Sequence, residues 1–149
     1  VSINVNNTFV NHYPTQNVIG KIGGKKKKKY IVVSAHYDHL GMMGDAIFNG
    51  ADDNASGVAM MLYLASYFAE HKPQYSLVFM AFSGEEAGLK GSEHYVNNPL
   101  FPLNKIKFLL NLDLNGTGEE GATVVNGTIH KKEFLKLTKI IIIKIYCQK

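Results

Sequence analysis

The chain has 149 residues, 46% hydrophobic and 19% charged, enough apolar material for one soluble domain with its own core. Its formal charge of +4 is more than covered by the five lysines at 25–29, and the absence of arginine removes the usual bidentate reader of phosphate and base edges, so no nucleic-acid partner is expected. The lone Cys147 excludes an internal disulfide and a zinc–thiolate cluster, and no apolar run approaches the ~20 residues of a membrane span.

In chain order, residues 2–10 and 17–23 read as strands around a polar turn holding Pro14. Gly23, Gly24 and the lysine run read as a hairpin-like, solvated turn leading into a strand at 30–35, Tyr-Ile-Val-Val-Ser-Ala. Residues 38–54 are rich in Gly, Met and Asp without a sustained period, which predicts a loop. In 55–71, Val58, Met61, Leu62, Ala65 and Phe68 recur at helical spacing, and Pro73 blocks continuation. A strand follows at 76–82, a helix over 85–97 that stops before Pro99, a strand at 106–112, a short strand at 123–126 and a helix over 130–140. The order is strand-rich first, then alternating. It predicts one α/β domain over residues 1–149, a three-layer fold with a mixed, mostly parallel sheet and helices on both faces.

Three of the apolar strands run directly into metal-ligand residue types. The first ends in His36-Tyr37-Asp38-His39, the second in Ser83-Gly84-Glu85-Glu86 and the third in Asp113. A fourth acidic knot, Gly50-Ala51-Asp52-Asp53-Asn54, precedes the helix at 55–71. Strands buried on both faces read as such uncharged runs, and open α/β sheets bind ligands beyond the carboxyl ends of their strands. Each cluster alone has a plainer reading. Ser83-x-x-Glu86 matches a capping box, Asp52, Asp53 and Asn54 could cap a helix, and Asp113 could form a turn. Together they would crowd several carboxylates and one imidazole at one sheet edge, where they repel unless a cation sits among them. The donor types suit zinc, and also manganese, cobalt or iron; the surplus of carboxylates points to two ions sharing a bridge. Adjacent glutamates at a helix start diverge by roughly 100°, so one can hold metal while the other faces a water as base.

The motifs His36-Tyr37-Asp38, Gly50-Ala51-Asp52-Asp53-Asn54-Ala55-Ser56-Gly57, Ser83-Gly84-Glu85-Glu86-Ala87-Gly88-Leu89-Lys90-Gly91-Ser92 and Asn111-Leu112-Asp113 resemble those of the co-catalytic zinc aminopeptidases, in order and approximate spacing. That family includes bacterial leucyl aminopeptidases, glutamate carboxypeptidase and relatives such as glutaminyl cyclase, and the resemblance runs from about Thr15 to Ile140. It implies a zinc metallopeptidase acting on peptides, secreted or periplasmic. It also implies that His36 and Asp113 ligate the first zinc, Asp52 bridges both ions, Glu86 ligates the second, and Glu85 is the general base. Asp38 then orients His36 through a hydrogen bond. The bond after the bridging aspartate is expected to be cis, hence Asp52-Asp53, with Asp53 as the fallback bridge. His39 matches no ligand of the family, nor do His12, His71, His94 or His130.

The family draws the last ligand of the second zinc from a histidine well downstream of the Asp113 motif, and no position here matches it. The chain is therefore expected to be C-terminally incomplete, to hold one zinc firmly and a second poorly, and to be a weak peptidase or none. The alternatives are a glutaminyl-cyclase-like zinc acyltransferase and a non-catalytic module keeping the fold.

Overall fold

The structure, a computed structural model, describes residues 1–116, 129–132 and 135. The expected strand at 123–126, most of the helix at 130–140, the Ile/Lys-rich tail and Cys147 lie outside the described residues.

Among the described residues, a four-stranded mixed sheet forms the frame. It comprises β1 (Val18–Ile22), β2 (Lys26–His36), β5 (Tyr75–Phe82) and β6 (Ile106–Asn111), in the order β1-β5-β2-β6. A small hairpin, β3 (Gly41–Met43) and β4 (Ala46–Phe48), sits apart from it. β2 pairs in parallel with both β5 and β6, and β1 lies antiparallel on β5. The apolar runs of β2 and β5 have side chains on both sheet faces, and both faces are covered. On one, Val33, Ala35, Leu77, Phe79 and Ala81 pack with Met61 of α1 (Gly57–Glu70), with Val58, Leu64, Ala65 and Phe68 around them. On the other, Val32, Val78 and Met80 pack with Tyr95 of α2 (Lys90–Asn97) and with Phe101. The three-layer expectation holds.

Four expectations need correction. Residues 2–10 form no strand. The lysine run is not a loop tip but the solvent-exposed first part of β2: Lys25 and Lys26 donate their backbone N–H groups to Pro73 and Gln74 carbonyls, and the register shifts between Lys26 and Tyr30. Gly24 permits this approach, because a Cβ there would collide with the backbone of Tyr75. β1 and β2 make no hairpin, since β5 lies between them. Finally, α2 begins at Lys90 and not at residue 85. Gly84 and Gly88 adopt positive φ, 68° and 93°, and the chain turns there before becoming helical.

Met80 is 1% exposed at the centre of β5. Met80→Ala should destabilise the protein by about 2–5 kcal/mol, the usual range for emptying such a site. Lys27→Ala, on the exposed part of β2, should change stability by less than about 0.5 kcal/mol. Urea unfolding midpoints compare the two.

Candidate metal centre

The parallel register places three strand ends side by side. His36 pairs with Phe82 and Ser34 with Asn111. The ladder then continues one bond further on each side: Tyr37 N–H donates to Phe82 O at 2.9 Å, and Leu112 N–H to Ser34 O at 2.8 Å. The residues leaving this edge are those the sequence singled out.

His36 is the buried member, 4% exposed. Its Nδ1 lies 3.1 Å from the Asp38 backbone carbonyl, which can only accept, so Nδ1 carries the proton. Nε2 points the other way, 3.0 Å from Asp53 Oδ1, 3.4 Å from Asp113 Oδ1 and 4.0 Å from Glu85 Oε2. An unprotonated Nε2 would set its lone pair against those of carboxylates, so positive charge is needed between them, from a proton or a metal ion. Burial opposes charging the ring. Asp113 and Glu85, the Asp38 carbonyl and Asp53 outweigh it, and the His36 pKa lies above the usual imidazole value. Zinc accepts this set of one imidazole nitrogen and carboxylate oxygens.

A second group adjoins the first. Donor atoms of His39, Asp53 and Glu86 lie within 4.8 Å of one another, as do those of His36, Asp53 and Asp113; Asp53 belongs to both. His39 Nδ1 is 2.7 Å from Glu86 Oε1. The neighbouring glutamates diverge, Glu85 toward His36 and Glu86 toward His39, although they lie ahead of α2 and not at its start. Glu85 has a raised pKa, chiefly from burial of its carboxylate, with Glu86, Asp113 and Asp38 adding to the shift and His36 opposing it.

The expected place of Asp52 is corrected by one residue. Asp52 Oδ1 accepts the backbone N–H of Gly116 at 2.8 Å, and its carbonyl accepts the Ser56 hydroxyl at 2.6 Å. Asp53 takes the position between the two histidines, and the cis peptide bond is Asp53-Asn54, not Asp52-Asp53. Both aspartates lie in the irregular helical turn Ala51–Ser56, where Asp53 and Asn54 depart from helical dihedrals. That departure sends adjacent carboxylates in different directions.

Hydrogen bonds hold the pieces. Asp38 does more than face His36: its two oxygens accept the backbone N–H groups of Glu85 and Glu86 at 3.1 and 3.2 Å, fixing the turn that carries both glutamates. Glu86 makes no capping box, because α2 starts later and has no side-chain cap. The capping role near α1 falls to Asn54, whose Oδ1 accepts the N–H of Gly57 while its Nδ2 donates to Leu112 O, both at 3.0 Å. Asn54 therefore ties the Asp53 turn to the backbone just ahead of Asp113. Upstream residues brace the glutamate turn as well. Thr15 Oγ1 meets Ser83 Oγ at 2.5 Å, and Asn17 accepts from Ser83 N–H and donates to Gly91 O. A cleft of about 390 Å³ opens beside Asp38 and His39, walled by Tyr37, Gly50, Val58 and Leu62.

Sequence reasoning placed His36, Asp38, Glu85, Glu86 and Asp113 at this edge and gave Asp53 only as a fallback. It set His39 aside as matching no ligand of the family; the structure places its ring against Glu86.

Known proteins resemble this chain in sequence and fold. The model for the family described as Peptidase family M28 matches residues 17–145. A probable zinc metalloprotease of Pyrenophora tritici-repentis is 37% identical over 108 residues, covering 68% of this chain and 24% of that protein. The solved structure of a zinc aminopeptidase from Bacillus subtilis superposes with a TM-score of 0.69 at 30% identity, over 87% of this chain and 33% of that one. A glutaminyl cyclase from an Acidobacteriales bacterium gives a TM-score of 0.56 at 30% identity, over 66% of this chain and 37% of that one. The chain spans about a quarter of the length of the curated relatives it matches first, 24% and 23%.

Asn54→Ala should strand both the Gly57 N–H and the Leu112 carbonyl, at about 1–3 kcal/mol for each orphaned group. Thermal unfolding measures the loss. Asn54→Asp, which keeps the acceptor and removes the donor, should fall between the alanine variant and the native protein.

Proposed function

This chain belongs to peptidase family M28, and from that premise we propose that it forms the metal-binding part of a zinc-dependent aminopeptidase that hydrolyses N-terminal residues from peptides. The observation that carries this reading is the approach of His36 Nε2 to Asp53 and Asp113, with Glu85 facing the same space. His36, Asp53 and Asp113 would hold one zinc, and Asp53 and Glu86 would contribute to a second. When bound, the ions acidify a shared water and polarise the scissile carbonyl.

The chain's own residues do the rest. Glu85 takes a proton from the attacking water and returns it to the departing amine nitrogen, so the peptide C–N bond breaks as a C–O bond forms. Its burial and its acidic neighbours, which raise its pKa, move it toward the range where one carboxylate can both accept and donate. Asp38 keeps this base in place through the backbone of residues 85 and 86, and at the same time anchors His36 through its own carbonyl. Buried Asn54 keeps Asp53 in register with Asp113.

A second reading has support in the likeness to a glutaminyl cyclase. There the substrate's own α-amine would attack its γ-carboxamide and release ammonia. A peptide beginning with glutamine separates the two, since free glutamine reports hydrolysis and a cyclised N-terminus with ammonia reports acyl transfer.

Three substitutions in the full-length protein test the roles. Glu85→Gln should leave zinc content nearly unchanged while turnover of an aminoacyl amide falls by about 10²–10⁴-fold. Loss of zinc instead would make Glu85 a ligand. In the adjacent pair, Asp53→Asn should release zinc, whereas Asp52→Asn should keep it and affect stability alone, as elemental analysis after dialysis would record. The reverse outcome would restore Asp52 as the bridge.

A further inference from the structure

The sheet edge opposite the metal centre is as basic as the metal centre is acidic. We infer that this edge is a docking surface for an anionic lipid bilayer, on which the protein sits with its acidic cluster turned away from the lipid. The inference stands on the charge and shape of that edge and does not draw on the zinc reading.

The lysine run is more than a solvated strand end. Lys26 pairs with Tyr75 and Tyr30 pairs with the next residue, Ser76, so Lys27, Lys28 and Lys29 have no partners on β5. They bulge from the ladder and all three are exposed. Both ends of the bulge are pinned. On one side the Lys25 and Lys26 N–H groups bond to the Pro73 and Gln74 carbonyls, and Lys26 Nζ lies 5.3 Å from the centre of the Tyr75 ring. On the other, Tyr30 is paired to both β5 and β6. Its ring takes Lys21 Nζ at 5.2 Å and packs on Phe101, with centroids 4.2 Å apart. Three ammonium groups are thus carried outward on a backbone fixed at each end.

Strand direction adds more positive charge at the same place. β2, β5 and β6 are parallel, so their first residues share an edge, and Lys105 and Lys107 flank Ile106, the partner of Tyr30. In the segments forming this edge, 22–30, 70–76 and 98–107, Glu70 is the only acid, and Lys72 follows it. Among the described residues, none of these lysines is in an ion pair. The carboxylates around His36 lie at the far end of β2, roughly 20 Å from Lys29 at the usual rise per residue. A face of one sign attracts a surface of the other.

The neighbouring loop says which anionic surface. Phe101 is turned in against Tyr30 and Tyr95. Leu100 and Leu103, beside it, are 73% and 38% exposed, next to Lys105. Ammonium groups level with apolar tips suit a headgroup layer, where the cations meet lipid phosphates and carboxylates while the leucines enter the acyl boundary. A nucleic acid would leave those leucines in water, and the edge has no arginine to read one. Among the described residues no helix is long and apolar enough to cross a membrane, and docking from one side needs none.

The test is co-sedimentation of the full-length protein with phosphatidylcholine vesicles, with and without phosphatidylserine, at low and physiological ionic strength. The native protein should bind the phosphatidylserine vesicles only, and more weakly as salt rises. Each lysine near an anionic leaflet strengthens binding by about fivefold, so the triple variant Lys27→Gln/Lys28→Gln/Lys29→Gln should bind about 100-fold more weakly. Leu100→Ser/Leu103→Ser should weaken binding several-fold while keeping the salt dependence. Unchanged thermal midpoints certify folding; if the triple variant unfolds, Lys28→Gln alone should show the fivefold loss. Equal binding to vesicles lacking phosphatidylserine overturns the inference, as does undiminished binding by either multiple variant. Binding to duplex DNA with none to vesicles would replace the bilayer by a nucleic acid and overturn it too.

Discussion

Everything at this site depends on the parallel pairing of β2 with two neighbours at once. Strands that run the same way finish at the same edge, so residues far apart in sequence leave the sheet together: His36, the turn after Phe82, and Asp113 after Asn111. The ladder continues past the last paired side chains, through Tyr37 N–H to Phe82 O and Leu112 N–H to Ser34 O. Such bonds fix the faces as well as the edge. A slip of one residue would turn every side chain over, burying His36 beneath the opposite face and sending its neighbour to the cluster.

Within that frame, the carboxylates differ by what their oxygens already have. Asp38 and Asp52 are turned to backbone amides, of Glu85, Glu86 and Gly116. Such acids are structural, their charge spread over fixed dipoles. Asp53, Asp113, Glu85 and Glu86 instead face imidazoles. Among the described residues, no peptide N–H answers this concentrated negative charge. Burial acts first on both groups, raising the pKa of Glu85 and opposing the rise at His36, and the crowded acids then raise both.

The apolar strands and the clusters that follow them were legible because a strand buried on both faces leaves a local, uncharged signature, and edge placement follows from strand direction. Pairing partners were not. Gly23, Gly24 and five lysines resemble a hairpin, yet β1 pairs with β5, more than fifty residues later, and local sequence carries no record of that choice. The shift from Asp52 to Asp53 was equally invisible. Two adjacent aspartates are chemically alike, and what distinguishes them is the Gly116 N–H and the dihedral break at Asp53 and Asn54, both tertiary facts. The late start of α2 could have been read from Gly84 and Gly88, which interrupt the helical period. Methionine-rich residues 38–54 gave no strand signal because β3 and β4 are only three residues each.

The bonds from Thr15 and Asn17 carry a consequence for where this domain starts. They join a stretch without regular structure to Ser83 and Gly91, across sequence separations of 66 to 74 residues. Closing loops of that length is entropically unfavourable, and the pairing of β1 with β5 already holds the two segments together. The glutamate turn is thus braced by residues that precede the first strand. A boundary drawn at Val18 would preserve every strand and helix of the described residues, yet remove the Thr15 and Asn17 braces and leave that of Asp38. The bracing of the glutamate turn thus begins a few residues ahead of β1.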